Sequence, residues 1–260
     1  MLEHIDQLGR TITLPYPPKR IISCVPSTTE LLYDLGLDVE VIGITKFCVH
    51  PDAWHKSKTR VGGTKNLNLT GIRDLTPDLI ICDKEENKQE EVEKLMQNHM
   101  VWVSDTNTMD QGLDMIRLLG DVLSKTDRAT DLCECIGSAF SALKKTLRPG
   151  NTLSAAYLIW RDPIMVAGAG TFIDDMMRRC GLLNLFPRGD NGYPEVNVDL
   201  LQQANPDLVM LSSEPFPFTE KHLPEFQKIL PNAKVILVDG EMFSWPGSRM
   251  EKAAAYFREL

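Results

Sequence analysis

Short apolar runs separated by helical patterns make up the first part of the chain. The runs are RIISCV (20–25), VEVIGIT (39–45), DLIIC (78–82) and MVWVS (100–104). Continuous apolar runs of this kind are typical of parallel strands buried on both faces. Between the first two runs, STTELLYDLG starts with residues that cap helices and ends on Gly, which favours helix termination. The pattern predicts an α/β lobe over residues 1–107.

A longer helical pattern covers residues 108–147. No Pro interrupts it, and apolar residues recur at helical spacing. One helix of this length would span about 60 Å at 1.5 Å per residue, which is longer than one lobe. We therefore expect one long bridging helix, stopped by RPGN (148–151). Two packed helices broken near Thr126 are the alternative.

The strand pattern then resumes, with LSAAYLIW (153–160), PIMVAG (163–168) and KVILVD (234–239). It predicts a second α/β lobe over residues 148–260. The expected fold is α/β, with two Rossmann-like parallel-sheet lobes bridged by one long α-helix. Parallel sheets bind ligands beyond the carboxyl ends of their strands, so we expect a ligand cleft between the lobes.

One phrase occurs in both predicted lobes. GTKNLNLTGIRDLTPDLII begins at Gly63, and GYPEVNVDLLQQANPDLVM begins 129 positions later at Gly192. The identical pairs are Gly63 and Gly192, Asn68 and Asn197, Pro77 and Pro206, Asp78 and Asp207, and Leu79 and Leu208. A repeat at this long spacing favours a duplicated lobe. Chance similarity between two helix-to-strand connections is the alternative.

Composition and charge narrow the possible partners. The net charge of −8 argues against nucleic acid, which requires a basic face. No apolar run approaches the ~18 residues of a membrane span.

The six cysteines lack a framework spacing, so we expect reduced thiols, with Cys24 and Cys82 as small buried hydrophobes. The first residues do not read as an export signal, which predicts a cytoplasmic location, or a periplasmic one if a signal has been removed.

Aromatic residues are frequent in the loops that should follow the strands. Aromatic walls with a few polar groups suit a sizeable organic ligand. The candidates are Phe47, Trp160, Phe172, Tyr193, Phe243 and Trp245; ordinary core packing is the alternative for each. No GxSxG, HExxH or Walker motif is present, and the histidines form no close cluster. We therefore expect a binding protein with no catalytic residues, no metal site and no resident cofactor.

Several segments together resemble the substrate-binding proteins of ABC importers for vitamin B12, ferric siderophores and haem, and most closely the cobalamin-binding branch. They are RIISCVPSTTELLYDLGL, VGGTKNLNLTGIRDLTPDLII, CGLLNLF, GYPEVNVDLLQQANPDLVML and EMFSWPGSR. The resemblance implies two α/β lobes joined by one long helix. It also implies that a metal chelate binds in the cleft, either a corrinoid or a ferric siderophore. We expect a monomer.

The resemblance also suggests roles for individual residues. Phe47 and Phe243 stand where the cobalamin branch has aromatic residues, and Tyr193 replaces a tryptophan. Thr64 stands where that branch has a first-lobe tryptophan. For a siderophore, the candidate cations are Lys65 and Arg249. No tyrosine follows Val61-Gly62-Gly63, so the axial haem ligand of haem-binding relatives is missing here.

Family members dock onto a permease through one exposed carboxylate per lobe. The aligned positions are Thr70 and Asp199, so the first lobe has lost its charge and the second keeps a shorter acid. Complementary charges tune docking rate and register. The leading hypothesis is a metal-chelate-binding component of ABC-type uptake. The alternatives are a cytoplasmic ligand-sensing protein and an enzyme that uses the same cleft.

Overall fold

The computed structural model describes residues 1–147, 150 and 152–260, which form two compact units. Unit 1 comprises Met1–Thr106, Asp110–Ile136 and Pro246–Arg249, and unit 2 comprises Asn107–Met109, Gly137–Trp245 and Met250–Leu260. Within the described residues, every helix is too short or too polar to cross a membrane.

Unit 1 is built on a parallel sheet. Its strands are β1 (Leu2–Ile5), β2 (Thr11–Leu14), β3 (Ile21–Ser23), β4 (Val41–Ile44), β5 (Thr59–Arg60), β6 (Gly62–Gly63), β7 (Asn66–Leu67), β8 (Leu79–Asp83) and β9 (Val101–Ser104). The main sheet has the order β5-β4-β3-β8-β9 with all neighbours parallel, while β1-β2 and β6-β7 are antiparallel hairpins. Its first helices are α1 (Pro26–Asp34), α2 (Asp52–Ser57), α3 (Leu69–Asp74) and α4 (Gln89–Met96).

Helices α5 (Met109–Val122) and α6 (Thr126–Thr146) follow. They are two helices, so the prediction of one continuous helix over 108–147 is wrong and the two-helix alternative is correct. Ser124 adopts a left-handed conformation with φ 56°, and the Lys125 N–H donates to the Gly120 carbonyl at 2.7 Å. The left-handed residue and this hydrogen bond terminate α5 without Pro or Gly.

Within unit 1, α5 and the first part of α6 pack against each other as an antiparallel pair. A Cβ on Gly120 would lie 2.4 Å from the Ala129 Cβ, so only glycine permits this approach. The Cys133 thiol lies 3.5 Å from the Leu113 carbonyl oxygen. The division between the units falls inside α6, between Ile136 and Gly137. Three residues of the predicted RPGN stop, 148, 149 and 151, lie outside the described residues, as does the predicted boundary at 148.

Unit 2 contains a second parallel sheet. Its strands are β10 (Leu153–Arg161), β11 (Ile164–Val166), β12 (Leu182–Asn184), β13 (Leu208–Ser212) and β14 (Lys234–Val238). Strands β12, β10, β13 and β14 are parallel neighbours, and β11 returns antiparallel beside the end of β10. The helices are α7 (Phe172–Arg179), α8 (Val198–Ala204), α9 (Leu223–Ile229), α10 (Gly240–Ser244) and α11 (Arg249–Tyr256), with a 3-10 turn at Glu220–His222.

The predicted parallel strands are confirmed in both units. In unit 1 they bury an apolar core in which Cys24 and Cys82 are fully buried, as expected for small hydrophobes. The order β4-β3-β8-β9 in unit 1 corresponds to β12-β10-β13-β14 in unit 2. The predicted α/β fold with two parallel-sheet lobes is therefore correct.

The sequence repeat is also a structural repeat, beginning with the helix caps. The Asn68 side chain caps α3 by accepting the Gly71 N–H at 3.0 Å, and the Asn197 side chain caps α8 by accepting the Leu200 N–H at 2.8 Å. Such caps are typically worth about 1 kcal/mol each. Both helices are followed by a left-handed residue, Thr76 with φ 44° and Asn205 with φ 45°.

An aspartate at the start of the repeated strand ties it to the neighbouring strand. Asp78 Oδ2 accepts the backbone N–H groups of Lys19 and Arg20 at 2.9 and 3.0 Å. Asp207 Oδ2 accepts the Ser154 N–H at 2.8 Å and its hydroxyl at 2.6 Å, which lowers the pKa of the carboxyl. Equivalent carboxylates therefore hold the strands in place: Asp78 fixes β8 beside β3 in unit 1, and Asp207 fixes β13 beside β10 in unit 2.

The repeat-equivalent left-handed positions give a test of backbone strain. Left-handed backbone is costly for a β-branched residue and tolerated by Asn, by a margin on the order of 1 kcal/mol. We expect Thr76→Asn to stabilise the protein and the reciprocal Asn205→Thr to destabilise it, measured as shifts in the urea unfolding midpoint. A lower urea midpoint for Thr76→Asn together with a higher one for Asn205→Thr would contradict the assignment of left-handed geometry at both sites.

Candidate ligand-binding loops

The loop after β4 presents an aromatic ring and a cation together. Phe47 is 51% exposed, and the Lys46 Nζ lies 4.9 Å from the centre of its ring. A Cβ on Gly63 would lie 3.1 Å from Phe47 Cε2, so one edge of the ring rests on this glycine of the β6–β7 hairpin. The Lys46 N–H donates to the Gly62 carbonyl at 2.8 Å and fastens the loop to the hairpin. Phe47 thus stands on a fixed base with much of its ring in solvent.

Asn87 holds three loops of unit 1 together. Its side-chain nitrogen donates to the Thr64 carbonyl at 2.9 Å and to the Cys24 carbonyl at 3.2 Å. Its side-chain oxygen accepts the Asp83 N–H at 2.9 Å. Asn87 is buried, so these bonds satisfy backbone groups that solvent does not reach. The loops after β3 and β8 and the tip of the hairpin are therefore one connected surface.

The two predicted residues on the hairpin tip are placed differently. Thr64 is buried, with 8% of its surface exposed, which makes it a poor ligand contact. Lys65 is exposed, and its ammonium donates to the Glu85 carbonyl oxygen. Lys65 therefore lies on the same surface as Phe47, whereas Thr64 serves to anchor the turn.

Arg249 lies in a buried ion pair. Its Nε is 2.8 Å from Glu30 Oε2 on α1, and both side chains are 8% exposed. Breaking such a pair would leave a buried charge uncompensated. The structure thus assigns Arg249 to packing within unit 1, which differs from its predicted role as a cation for a siderophore.

In unit 2, Trp160 lies at the end of β10 with 38% of its surface exposed. Its ring stands edge-on to Phe216 at a centroid distance of 5.7 Å. The indole N–H donates to the Asp162 carbonyl at 3.1 Å. The ring is therefore fixed in orientation while part of it faces solvent, as a ligand-binding aromatic requires.

The predicted residues Tyr193 and Phe172 belong to two adjoining turns of unit 2. The Gly168 N–H donates to the Gly192 carbonyl at 2.8 Å, and a Cβ on Gly192 would lie 2.9 Å from Thr171 Cγ2. Tyr193 is partly exposed, while Phe172 is buried at the start of α7. The structure therefore keeps Tyr193 as a surface candidate and assigns Phe172 to the core.

Phe243 and Trp245 are also packing residues. Phe243 is fully buried and contacts the rings of Tyr157 and Phe257 at centroid distances of 5.1 and 4.6 Å. Trp245 is 8% exposed, and its indole N–H donates to Glu214 Oε1 at 2.8 Å. Both predictions of a ligand-facing aromatic are corrected here, because neither ring presents an open face.

Glu214 is the carboxylate that organises this part of unit 2. Its Oε1 also accepts the Ser244 hydroxyl at 2.6 Å. Burial raises the pKa of Glu214, opposed by the Ser244 hydrogen bond, and the nearby carboxylate of Glu241 raises it further. A Cβ on Gly240 would lie 2.5 Å from Glu214 Cγ, so the close approach of α10 requires glycine.

Sequence reasoning missed Lys46, Asn87 and Glu214. Lys46 could have been found from the TKF triplet that follows a predicted strand, since a cation beside an aromatic residue in such a loop suits an anionic or flat ligand. Asn87 and Glu214 act through contacts distant in sequence, and nothing local marks them.

The two predicted docking positions lie on equivalent exposed turns. Thr70 and Asp199 are each the second residue of their helix, α3 and α8. Neither residue caps its helix, because the capping side chains are Asn68 and Asn197. Their exposure leaves both side chains accessible to a partner.

Among the described residues, no group of three or more His, Cys, Asp or Glu side chains is arranged to hold a metal ion. Each unit instead presents an exposed aromatic residue that is held in place at the carboxyl end of its parallel sheet, Phe47 in unit 1 and Trp160 in unit 2. This arrangement defines the class of α/β proteins that bind small molecules through strand-end loops.

The chain belongs to the periplasmic binding protein family, whose model matches residues 21–232. A vitamin B12-binding protein of Vibrio cholerae is 25% identical over 199 residues, which cover 76% of this chain and 72% of that protein. This chain is also similar to two solved structures. One is the periplasmic vitamin B12-binding protein BtuF of Vibrio cholerae (TM-score 0.81, 22% identity, 94% and 96% of the two chains covered). The other is the molybdate-binding protein MolA of Haemophilus influenzae (TM-score 0.82, 16% identity, 100% and 90% covered).

The raised pKa of Glu214 predicts a pH-dependent stability. The folded state favours the neutral carboxyl. Its contribution to the stability of the fold is therefore fully present below the usual pKa of 4.5 and is lost as the pH rises through the raised folded value. Glu214→Gln keeps the oxygen that accepts from Ser244 and Trp245. We expect Glu214→Gln to match wild type in acid and to have a higher urea midpoint at pH 8. The exposed Glu220→Gln is the control. A lower midpoint for Glu214→Gln at pH 8 would contradict the account.

Proposed function

We propose that this chain is the substrate-binding component of an ABC-type uptake system and binds a metal chelate without catalysis, with a corrinoid as the first candidate. The observation that carries the proposal is the exposed Phe47 ring with Lys46 above it, on a strand-end loop of a chain in this family. The relationship to vitamin B12-binding proteins supports the choice of a corrinoid.

The chemistry of the loop suits such a ligand. A flat macrocycle can cover an exposed aromatic face, and burying that face removes apolar surface from water. The neighbouring ammonium groups of Lys46 and Lys65 favour an acidic group on the ligand. In unit 2, the corresponding aromatic candidates are Trp160, which is exposed, and Tyr193, which is partly exposed.

A ferric siderophore is the second candidate. Many iron chelates are anionic, and two exposed lysines lie on the surface that carries Phe47. The likeness to a molybdate-binding protein extends over the whole chain, so this fold accommodates ligands of very different size. The side chains on the loops, rather than the fold, must therefore decide the ligand.

We further propose an ABC permease as the protein partner, contacted through the exposed first turns of α3 and α8. Asp199 supplies a carboxylate on α8, and Thr70 supplies none on α3. With only one charge, the attraction to a basic surface is weaker than for a paired arrangement.

The ligand is tested by calorimetric titration with cyanocobalamin. We expect saturable binding by wild type. Phe47→Ala should lose about 1–3 kcal/mol of binding free energy, the scale of one large apolar contact. Tyr16→Ala is the matched control, because Tyr16 is also exposed but precedes β3 at the amino end of the sheet.

A ferric hydroxamate titration separates the two ligand candidates. Tight binding of the iron chelate with no response to cyanocobalamin would overturn the corrinoid and keep the binding function. Equal affinities for Phe47→Ala and wild type would remove Phe47 from the site.

Docking is tested with the double variant Thr70→Glu, Asp199→Glu and a B12-type permease in nanodiscs. We expect the variant to bind more tightly than wild type, and the difference to shrink with added salt because exposed charges are screened beyond roughly 10 Å at 0.1 M. Asp74→Glu, an exposed change at the end of α3, is the control. Wild-type binding as tight as the double variant at every salt concentration would contradict the importance of these two positions.

A further inference from the structure

A cavity of about 440 Å³ lies in unit 2 at the amino ends of its parallel strands. It adjoins the first residues of β10, β12, β13 and β14, whereas Trp160 lies at the carboxyl end of β10 and Glu214 follows the carboxyl end of β13. The cavity is therefore separate from the proposed ligand loops and is not accounted for by the binding of a chelate there.

The body of this cavity is apolar. Leu182, Leu208, Ile236 and Phe257 are among its lining residues. A cavity of this size holds roughly the volume of fifteen water molecules at ~30 Å³ each. That volume is comparable to a saturated chain of about a dozen carbons, and an apolar chain would be favoured over water by the hydrophobic effect.

Two cations accompany the apolar lining. Lys144, near the end of α6, and Lys234, the first residue of β14, both line the cavity and are exposed. No acidic side chain is among the described residues that line it. Neither lysine takes part in a salt bridge between described residues. Both ammonium groups are thus available to an anionic group of a molecule bound in the cavity.

From this combination we propose that unit 2 contains a second binding site for a single-chain anionic amphiphile, of the chemical class of medium-chain carboxylates. The hydrocarbon chain occupies the apolar cavity, and the carboxylate pairs with Lys144 and Lys234. Charge-assisted hydrogen bonds of this kind are the stronger ones in proteins, so the head group contributes specificity as well as affinity.

Sodium dodecanoate is the probe, titrated calorimetrically below its micelle concentration into the intact chain. We expect saturable binding at a ratio of one to one. Dodecyltrimethylammonium, which has the same chain and the opposite charge, should bind at least about tenfold more weakly. Lys144→Gln and Lys234→Gln should each weaken dodecanoate binding by about tenfold, the equivalent of one charge-assisted contact.

Lys145→Gln is the matched control, since Lys145 is the next residue of α6, is exposed, and does not line the cavity. It should leave dodecanoate binding unchanged. Phe47→Ala should also leave it unchanged, so a failure of this proposal is distinguishable from a failure of the proposed chelate function.

Three results would overturn the proposal: no saturable binding of dodecanoate, equal affinity for the cationic amphiphile, or an equal loss in Lys145→Gln.

Discussion

The structure depends on a carboxylate that joins two adjacent parallel strands at their amino ends. In unit 1, Asp78 accepts the backbone N–H groups of Lys19 and Arg20, and in unit 2 Asp207 performs the same task for Ser154. Parallel strands are joined by crossovers rather than tight turns, so their register needs such a fixed point. With register fixed at the amino end, the loops at the carboxyl end emerge at defined positions.

At the carboxyl end of the sheet in unit 1, a second set of polar contacts organises the candidate surface. Asn87 joins the loops after β3 and β8 to the β6–β7 hairpin. Gly63 in that hairpin provides the close approach on which Phe47 rests. The exposed ring is therefore held before any ligand arrives, which lowers the entropy cost of binding. Unit 2 achieves the same fixation differently, through the edge contact of Trp160 with Phe216.

Much of the fold could be predicted from the sequence because its signals are local. Buried parallel strands are short apolar runs, and the repeat carries its own cap, left-handed turn and aspartate. The break between α5 and α6 could be predicted only as an alternative, because Ser124 ends the helix in a left-handed conformation without Pro or Gly, while the apolar periodicity continues. The aromatic candidates could not be sorted by pattern. Phe47 and Phe243 both follow strands, and only the packing of Phe243 on Tyr157 and Phe257 shows that it is buried.

The central claim is that the fixed loops of unit 1 contact the chelate directly. Hydrogen–deuterium exchange with and without saturating cyanocobalamin tests it most directly, with ferric hydroxamate in a parallel arm. The account predicts slower exchange on ligand addition in peptides covering 45–49 and 62–67, and unchanged exchange in 15–20 at the opposite end of the sheet. A bound ligand that leaves 45–49 and 62–67 unchanged would contradict the account.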